Sequence, residues 1–283
     1  MHPQPILTFT LFGKNISIYL YGIFIAIGII ACMVVFYLYT KKKKMNTDVQ
    51  DFIFFVAIIA IAAGFLFAKL FQTFYDFLKT GTFNFNNAGI TVMGGVLGGA
   101  GSFLAIYFGV GALIFKGKKK GLHIKEFNKI LLAAPCCITI AHAFGRIGCL
   151  MAGCCHGKYL GTSPVAGGIW MNHDGLAGYY VPTQLYEAIF LFALFAVLSI
   201  IYFKNFNFTM QIYLIAYGIW RFVIEFFRDD YRGATFLGLY PSQWTSIIFI
   251  LMGVAMFVFY VVKKIPLKLQ SENDVTQEKV KNE

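Results

Sequence analysis

Apolar residues in this chain come in long unbroken runs, not in alternating or one-sided patterns. The runs lie at roughly 16–40, 51–72, 89–115, 128–152, 183–203, 209–227 and 242–262. A run of about 18 residues is long enough to cross a hydrocarbon core of roughly 30 Å. Inside that core a helix satisfies its own backbone donors and acceptors. The pattern predicts an all-α, polytopic membrane protein with about seven transmembrane helices. Residues 1–267 read as one transmembrane domain. Residues 268–283 are polar, lack apolar periodicity and read as a disordered tail. The first run is too long for the apolar core of a leader and lacks a small-residue cleavage pattern, so no cleaved signal peptide is expected.

Composition agrees with the pattern. Hydrophobic residues make up 58% of the chain and charged ones 13%, against about 25% charged in soluble domains. The net charge of +11 is not spread as a nucleic-acid surface would need, and no nucleic-acid partner is expected. The lysines gather at 41–44, at 116–129 and from 263 onward, between the runs. Such clusters mark cytoplasmic connections, where they meet the anionic headgroups of the bilayer. This places the N-terminus outside and the C-terminus in the cytoplasm. The outer connections differ: 153–182 is long, glycine- and aromatic-rich and nearly uncharged, and 229–241 is similar. Long irregular loops often carry function.

Arginine breaks the lysine habit. Of the 24 basic residues only Arg146, Arg221, Arg228 and Arg232 are arginines, and all fall at or beyond the outer ends of the fourth and sixth runs. A guanidinium offers phosphate or carboxylate a planar two-pronged fit that an ammonium does not. His142 and Arg146 are four apart and share a helix face. A charge at membrane depth faces a cavity or a partner, or it snorkels to the headgroups; both readings stand for Arg146. Tyr217, Arg221, Glu225 and Arg228 form a polar stripe on an otherwise apolar helix. The stripe is either an ion pair joining helices or, with its surplus positive charge, an anion site. Gly94/Gly98 and Gly95/Gly99 are small-xxx-small pairs suited to close helix packing. Gln184, Tyr186 and Glu187 open the fifth run, where a carboxylate also complements the helix dipole.

Cys149, Cys154, Cys155 and His156 follow Arg146 closely. Their spacing matches no ordinary zinc module, so no metal is assigned. Small buried apolar residues are the simpler reading, with an outer-face disulfide as an alternative.

Taken in order, these segments resemble the prolipoprotein diacylglyceryl transferase family. The resemblance runs from Tyr21-Gly22 through Gly94-Gly95-Val-Leu-Gly98-Gly99, Gly145-Arg146-Ile-Gly148 with Gly157, and Gln184-Leu-Tyr186-Glu187, to Arg221-Phe-Val-Ile-Glu225-Phe-Phe-Arg228. Met93 stands where the family often has a histidine, Cys149 where an asparagine is usual, and Cys154 where a carboxylate is.

The resemblance implies a lipid transferase of the bacterial inner membrane. It would move diacylglyceryl from phosphatidylglycerol to the lipobox cysteine thiol of a preprolipoprotein signal peptide, leaving a thioether and glycerol phosphate, without a cofactor. On this reading Arg146, Arg221, Glu225 and His142 are catalytic. Arg146 and Arg221 hold the phosphate, Glu225 orients an arginine, and His142 or Glu225 stands in for the missing base. Tyr21, Gly94, Gly95, Gly98, Gly157, Gln184, Tyr186, Glu187 and Arg228 bind substrate. An inactive lipid-binding relative and a small-solute transporter are the other classes; a transporter would show inverted repeats, and no convincing repeat is visible.

Overall fold

A computed structural model describes residues 4–11, 14–86, 89–173, 175–228 and 235–268. Arg232, the first part of the 229–241 connection (229–234) and the tail from Ser271 lie outside the described residues. The seven expected helices are present: α1 (Leu20–Lys42), α2 (Thr47–Thr80), α3 (Val92–Ile114), α4 (Leu122–Ala152), α5 (Thr183–Phe203), α6 (Thr209–Ile224) and α7 (Pro241–Val262). Each is long and apolar enough to cross a membrane, α6 together with its 3₁₀ extension, and the chain is a multi-pass, all-α membrane protein.

Three boundaries differ from the sequence reading. The first apolar run does not begin as helix: Leu7–Leu11 (β1) and Lys14–Ile18 (β2) form an antiparallel hairpin, with Leu7 opposite Ile18. Ile16 and Ile18 supply the apolar, β-branched residues that the run borrowed for a helix. Helix α2 is longer than the apolar run inside it. Its start is set by Asn46, whose side chain accepts from the Asp48 amide at 3.0 Å, and its end by Gly81 at φ 70°. The 153–182 connection is not irregular. Tyr159–Gly161 (β3), Ile169–His173 (β4) and Leu176–Tyr180 (β5) form a small antiparallel sheet in the order β3-β5-β4.

The chain divides into two compact units. One is Tyr37–Ile130. Its centre is the α2–α3 contact, built on glycine. The Gly64 and Gly95 backbones come close enough that a Cβ on Gly64 would lie 3.2 Å from the Gly95 carbonyl oxygen. Gly94 and Gly98 make room for Phe71 and Phe67. With lipid no less apolar than leucine, such close van der Waals contact is what holds two spans together.

The other unit is Met1–Phe36 with Leu131–Glu283. Here α1 approaches α4 at Gly28 and Gly148. A Cβ at Gly148 would stand 3.2 Å from the Tyr21 carbonyl oxygen, and one at Gly28 2.9 Å from that of Ala141. Gly218 and Gly253 play the same part between α6 and α7. The C-terminal parts of α4 and α6 and the start of α5 carry the polar residues considered next.

Candidate functional site

Helix α5 has one charged residue in 21, Glu187. Its side chain is 1% exposed, too buried to serve as a surface dipole partner, and polar groups gather on it. From α4, Arg146 Nε lies 3.0 Å from Oε2 and His142 Nε2 3.7 Å from Oε1. From α6, the Tyr217 hydroxyl donates a long bond of 3.3 Å to Oε1. The His142 and Tyr217 rings meet edge to face at 5.4 Å. The charges of Arg146, His142, Arg221 and Arg228 all act on this carboxylate. Arg146 therefore turns inward to a partner and does not snorkel to the headgroups.

Arg221 pairs with Glu225 on its own turn, Nη2 to Oε2, at 3.1 Å. The polar stripe does not run on as a helix to Arg228. Helix α6 stops at Ile224 and tightens to a 3₁₀ turn over Glu225–Phe227, and Arg228 is extended. Its backbone pairs with Gly157, and Lys158 N–H donates to the Phe227 carbonyl at 3.1 Å. Only glycine fits at 157, because a Cβ there would collide with the Phe227 carbonyl oxygen and lie 2.8 Å from Thr183 Cγ2.

These contacts leave donors over. Arg146 Nε–H is close to Glu187 but not aligned with it as a hydrogen bond. It and Arg221 Nη1 are buried without a hydrogen-bond partner among the described residues. A buried guanidinium N–H without an acceptor is costly, and among the described residues two such groups lie at this end of α4, α5 and α6.

The loop after α4 is held on the same frame. Gly153 (φ 72°) ends the helix: its N–H bonds the Leu150 carbonyl and that of Cys154 the Cys149 carbonyl, each at 3.2 Å. This is a Schellman closure, and it folds Cys154 back over Cys149. Gln184 Nε2 then donates to the Cys154 carbonyl at 2.6 Å, and the Thr183 hydroxyl to that of Cys155 at 2.9 Å. As a result Cys149, Cys154 and Cys155 bring their sulfurs within 4.8 Å of one another. All three are free thiols of intermediate exposure, not buried apolar filler. Hydrogen bonds from Cys149 and Cys154 hold the Cys155 thiol far below the ordinary range, with Arg228 and Arg146 adding to this; the bonds to Cys149 and Cys155 push Cys154 far up. His156 is engaged elsewhere. Its Nδ1 lies 2.9 Å from the Gly157 carbonyl oxygen and its ring packs against His173 and Tyr180.

Comparison with known proteins follows this geometry. The sequence profile of prolipoprotein diacylglyceryl transferase matches residues 7–259. The chain belongs to the prolipoprotein diacylglyceryl transferase family. Its relatives include the phosphatidylglycerol–prolipoprotein diacylglyceryl transferase of Clostridium tetani, 31% identical over 264 residues, 90% of this chain and 96% of the relative. An enzyme of that name numbered 2 in Clostridium perfringens is 32% identical over 255 residues, 86% and 91% of the two chains. One from Dehalococcoides mccartyi is 32% identical over 251 residues, 84% and 88%.

Set beside that family, the residues singled out in the sequence separate into groups. His142, Arg146, Gln184, Glu187, Arg221, Glu225 and Arg228 belong to the α4–α5–α6 end just described. Tyr21 adjoins it through the backbone contact with Gly148, and the charge of Arg146 reaches its hydroxyl. Tyr186 is committed to the 153–182 connection, its hydroxyl donating to the Gly167 carbonyl at 2.9 Å. Gly94, Gly95 and Gly98 belong to the other unit, where the α2–α3 contact accounts for them. The centrality of Glu187 was missed. The available signal was its isolation, a lone carboxylate in an otherwise uncharged span.

Proposed function

We propose that this protein is a phosphatidylglycerol–prolipoprotein diacylglyceryl transferase of the bacterial inner membrane, acting in the first step of lipoprotein maturation. Family membership and the names of its relatives support the activity and both substrates. The observation from the molecule itself is the pair of buried guanidinium donors, Arg146 Nε and Arg221 Nη1, left without acceptors beside a paired carboxylate. A phosphodiester supplies what they lack.

The thiolate of the lipobox cysteine attacks the glyceryl carbon that carries the phosphate ester. A sulfur–carbon bond forms and the carbon–oxygen bond breaks. The electron pair leaves on glycerol phosphate, and the thiol proton passes to a base. Negative charge builds on the phosphate oxygens as the bond lengthens. Donors already fixed in a site of low dielectric stabilise that charge without reorganising. In this scheme Arg146 and Arg221 hold the phosphate, Glu187 and Glu225 fix their orientations, and Arg228 extends the positive field outward. His142 is the base within the helix, and Tyr21 lines the headgroup. Lysine-bearing connections at 41–44, at 116–129 and after Lys263 support a cytoplasmic C-terminus and an outer N-terminus. The site then faces the side where secreted lipobox peptides arrive.

The test is transfer of label from phosphatidylglycerol carrying labelled acyl chains to a lipobox peptide by the purified protein. Thioether-linked label that vanishes with a Cys→Ser peptide and with Arg221→Ala is the expected result. Bound lipid with no transfer would overturn the proposal.

A further inference from the structure

Three thiols meet at the outer end of α4, one turn from Arg146, and the proposed transfer does not use them. Their sulfurs lie within 4.8 Å of one another. Three thiolates on one tetrahedral zinc ion, each at about 2.3 Å, have sulfurs roughly 3.8 Å apart, so a small change of side-chain rotamer closes the cluster on a metal. The chain is bent to hold them together. Cys155 adopts φ 60°, a left-handed conformation that non-glycine residues seldom take unless their surroundings hold them there. The carbonyls of Cys154 and Cys155 are tied to Gln184 and Thr183 of α5, so the turn is set before any ion arrives. His156, committed to its own carbonyl contact and ring packing, is not among the clustered atoms. Among the described residues no fourth side chain joins the cluster, which leaves the fourth position of a tetrahedral ion to an outside ligand.

Resting on the transferase reading above, we propose that Cys149, Cys154 and Cys155 form a three-thiolate site for zinc, whose open position takes the thiol of the incoming lipobox cysteine. Three protein ligands and a vacant fourth place are the pattern of catalytic rather than structural zinc. A thiol that coordinates the ion loses its proton, which passes to water at the exposed side of the cluster. Cys149 stands one turn along α4 from Arg146, so sulfur bound there lies beside phosphate held by that arginine. The bound thiolate attacks the glyceryl carbon, the carbon–oxygen bond breaks toward the arginines, and the thioether product, a weaker ligand, leaves the metal. Histidine is then not needed to make the nucleophile. This departs from the sequence-based assignment of no metal. Linear spacing conceals the site because the Gly153 and Cys155 turns, and not a regular repeat, bring the sulfurs together.

The experiment uses the full-length protein in detergent, reduced and stripped with chelator, with Cd²⁺ and Co²⁺ as probes of thiolate-to-metal absorption. One ion per chain is expected, with absorption for three thiolates. Lipobox peptide should raise it by about a third, and the Cys→Ser peptide should not. Cys155→Gly removes a ligand while suiting the left-handed backbone; it should melt with the parent yet bind Cd²⁺ about 10- to 100-fold more weakly, as should Cys154→Ser. As a check without mutation, Zn²⁺ should protect three thiols from alkylation, counted by mass. Absorption unchanged by Cys155→Gly, no protection by Zn²⁺, or a disulfide among the three in gently isolated protein would each overturn the site. Stripped protein that transfers label as fast as the zinc-loaded form would remove the metal from catalysis and leave the transferase reading intact. Ion and peptide bound as expected with no label transferred would keep the site and overturn that reading.

Discussion

The α2–α3 contact and the α4–α5–α6 end solve the same problem, joining membrane spans, with opposite chemistry. Between α2 and α3, Gly64 faces Gly95 and Gly99, and Gly94 and Gly98 accept the side of Phe71 and Phe67. Close packing on glycine is the centre of that contact. Where α4, α5 and α6 meet, a buried glutamate faces an arginine, a histidine and a tyrosine, and among the described residues guanidinium donors are left over. Burying charge to join helices is expensive, and an apolar replacement is often as stable. A chain that packs two spans on glycine had a cheaper device at hand. Buried charge retained where shape would do is what the proposed transfer calls for.

The largest expected effect is on Glu187. Glu187→Ala strands the Arg146 guanidinium and should lower stability by about 3–5 kcal/mol, read as thermal unfolding in detergent. A variant that melts with the parent would make Glu187 a dispensable neighbour and erase the contrast. Arg221→Lys keeps the charge opposite Glu225 but loses the planar fork. Transfer should fall about 10²-fold while the melting curve stays near the parent's; equal losses of both would place Arg221 with packing. Gly94→Ala puts a Cβ 2.8 Å from the Phe67 carbonyl oxygen and should cost about 1–3 kcal/mol. Gly109→Ala, on the same helix with open space around it, should be neutral or gain up to about 1 kcal/mol. If both alanines melt alike, the α2–α3 contact is not set by shape. Tyr186→Phe removes the bond to the Gly167 carbonyl and should cost about 1 kcal/mol without changing thiol reactivity at Cys155, measured by alkylation rate.

Much of this was legible in the chain. The fifth span was placed to the residue, Thr183–Phe203, and the seventh to within one. Three of the four scattered arginines, Arg146, Arg221 and Arg228, share the field around Glu187. The errors have local causes. Ile16 and Ile18 fit an apolar helix as well as a strand, and only pairing with β1 decides between them. Arg228 continues a helical stripe on paper, but α6 ends one turn early. The 153–182 connection hides a sheet because its strands are only three to five residues long.

By itself the sequence determined how many times the chain crosses the membrane, where each crossing falls, and which rare side chains are carried to one end. Those are sums over about twenty consecutive residues of the cost of moving each from water to lipid, and they need no knowledge of neighbours. Which carboxylate faces which guanidinium, and that three cysteines share one point in space, were decided by tertiary structure alone. Helix rotation sets the first, bringing Glu187 of α5 under Arg146 of α4 and Tyr217 of α6. The second depends on the left-handed turns at Gly153 and Cys155 and on the side chains of Thr183 and Gln184 that hold the loop in place. A contact between residues 28 or more positions apart is a property of packing, because the free energy that fixes it belongs to the pair and to neither segment.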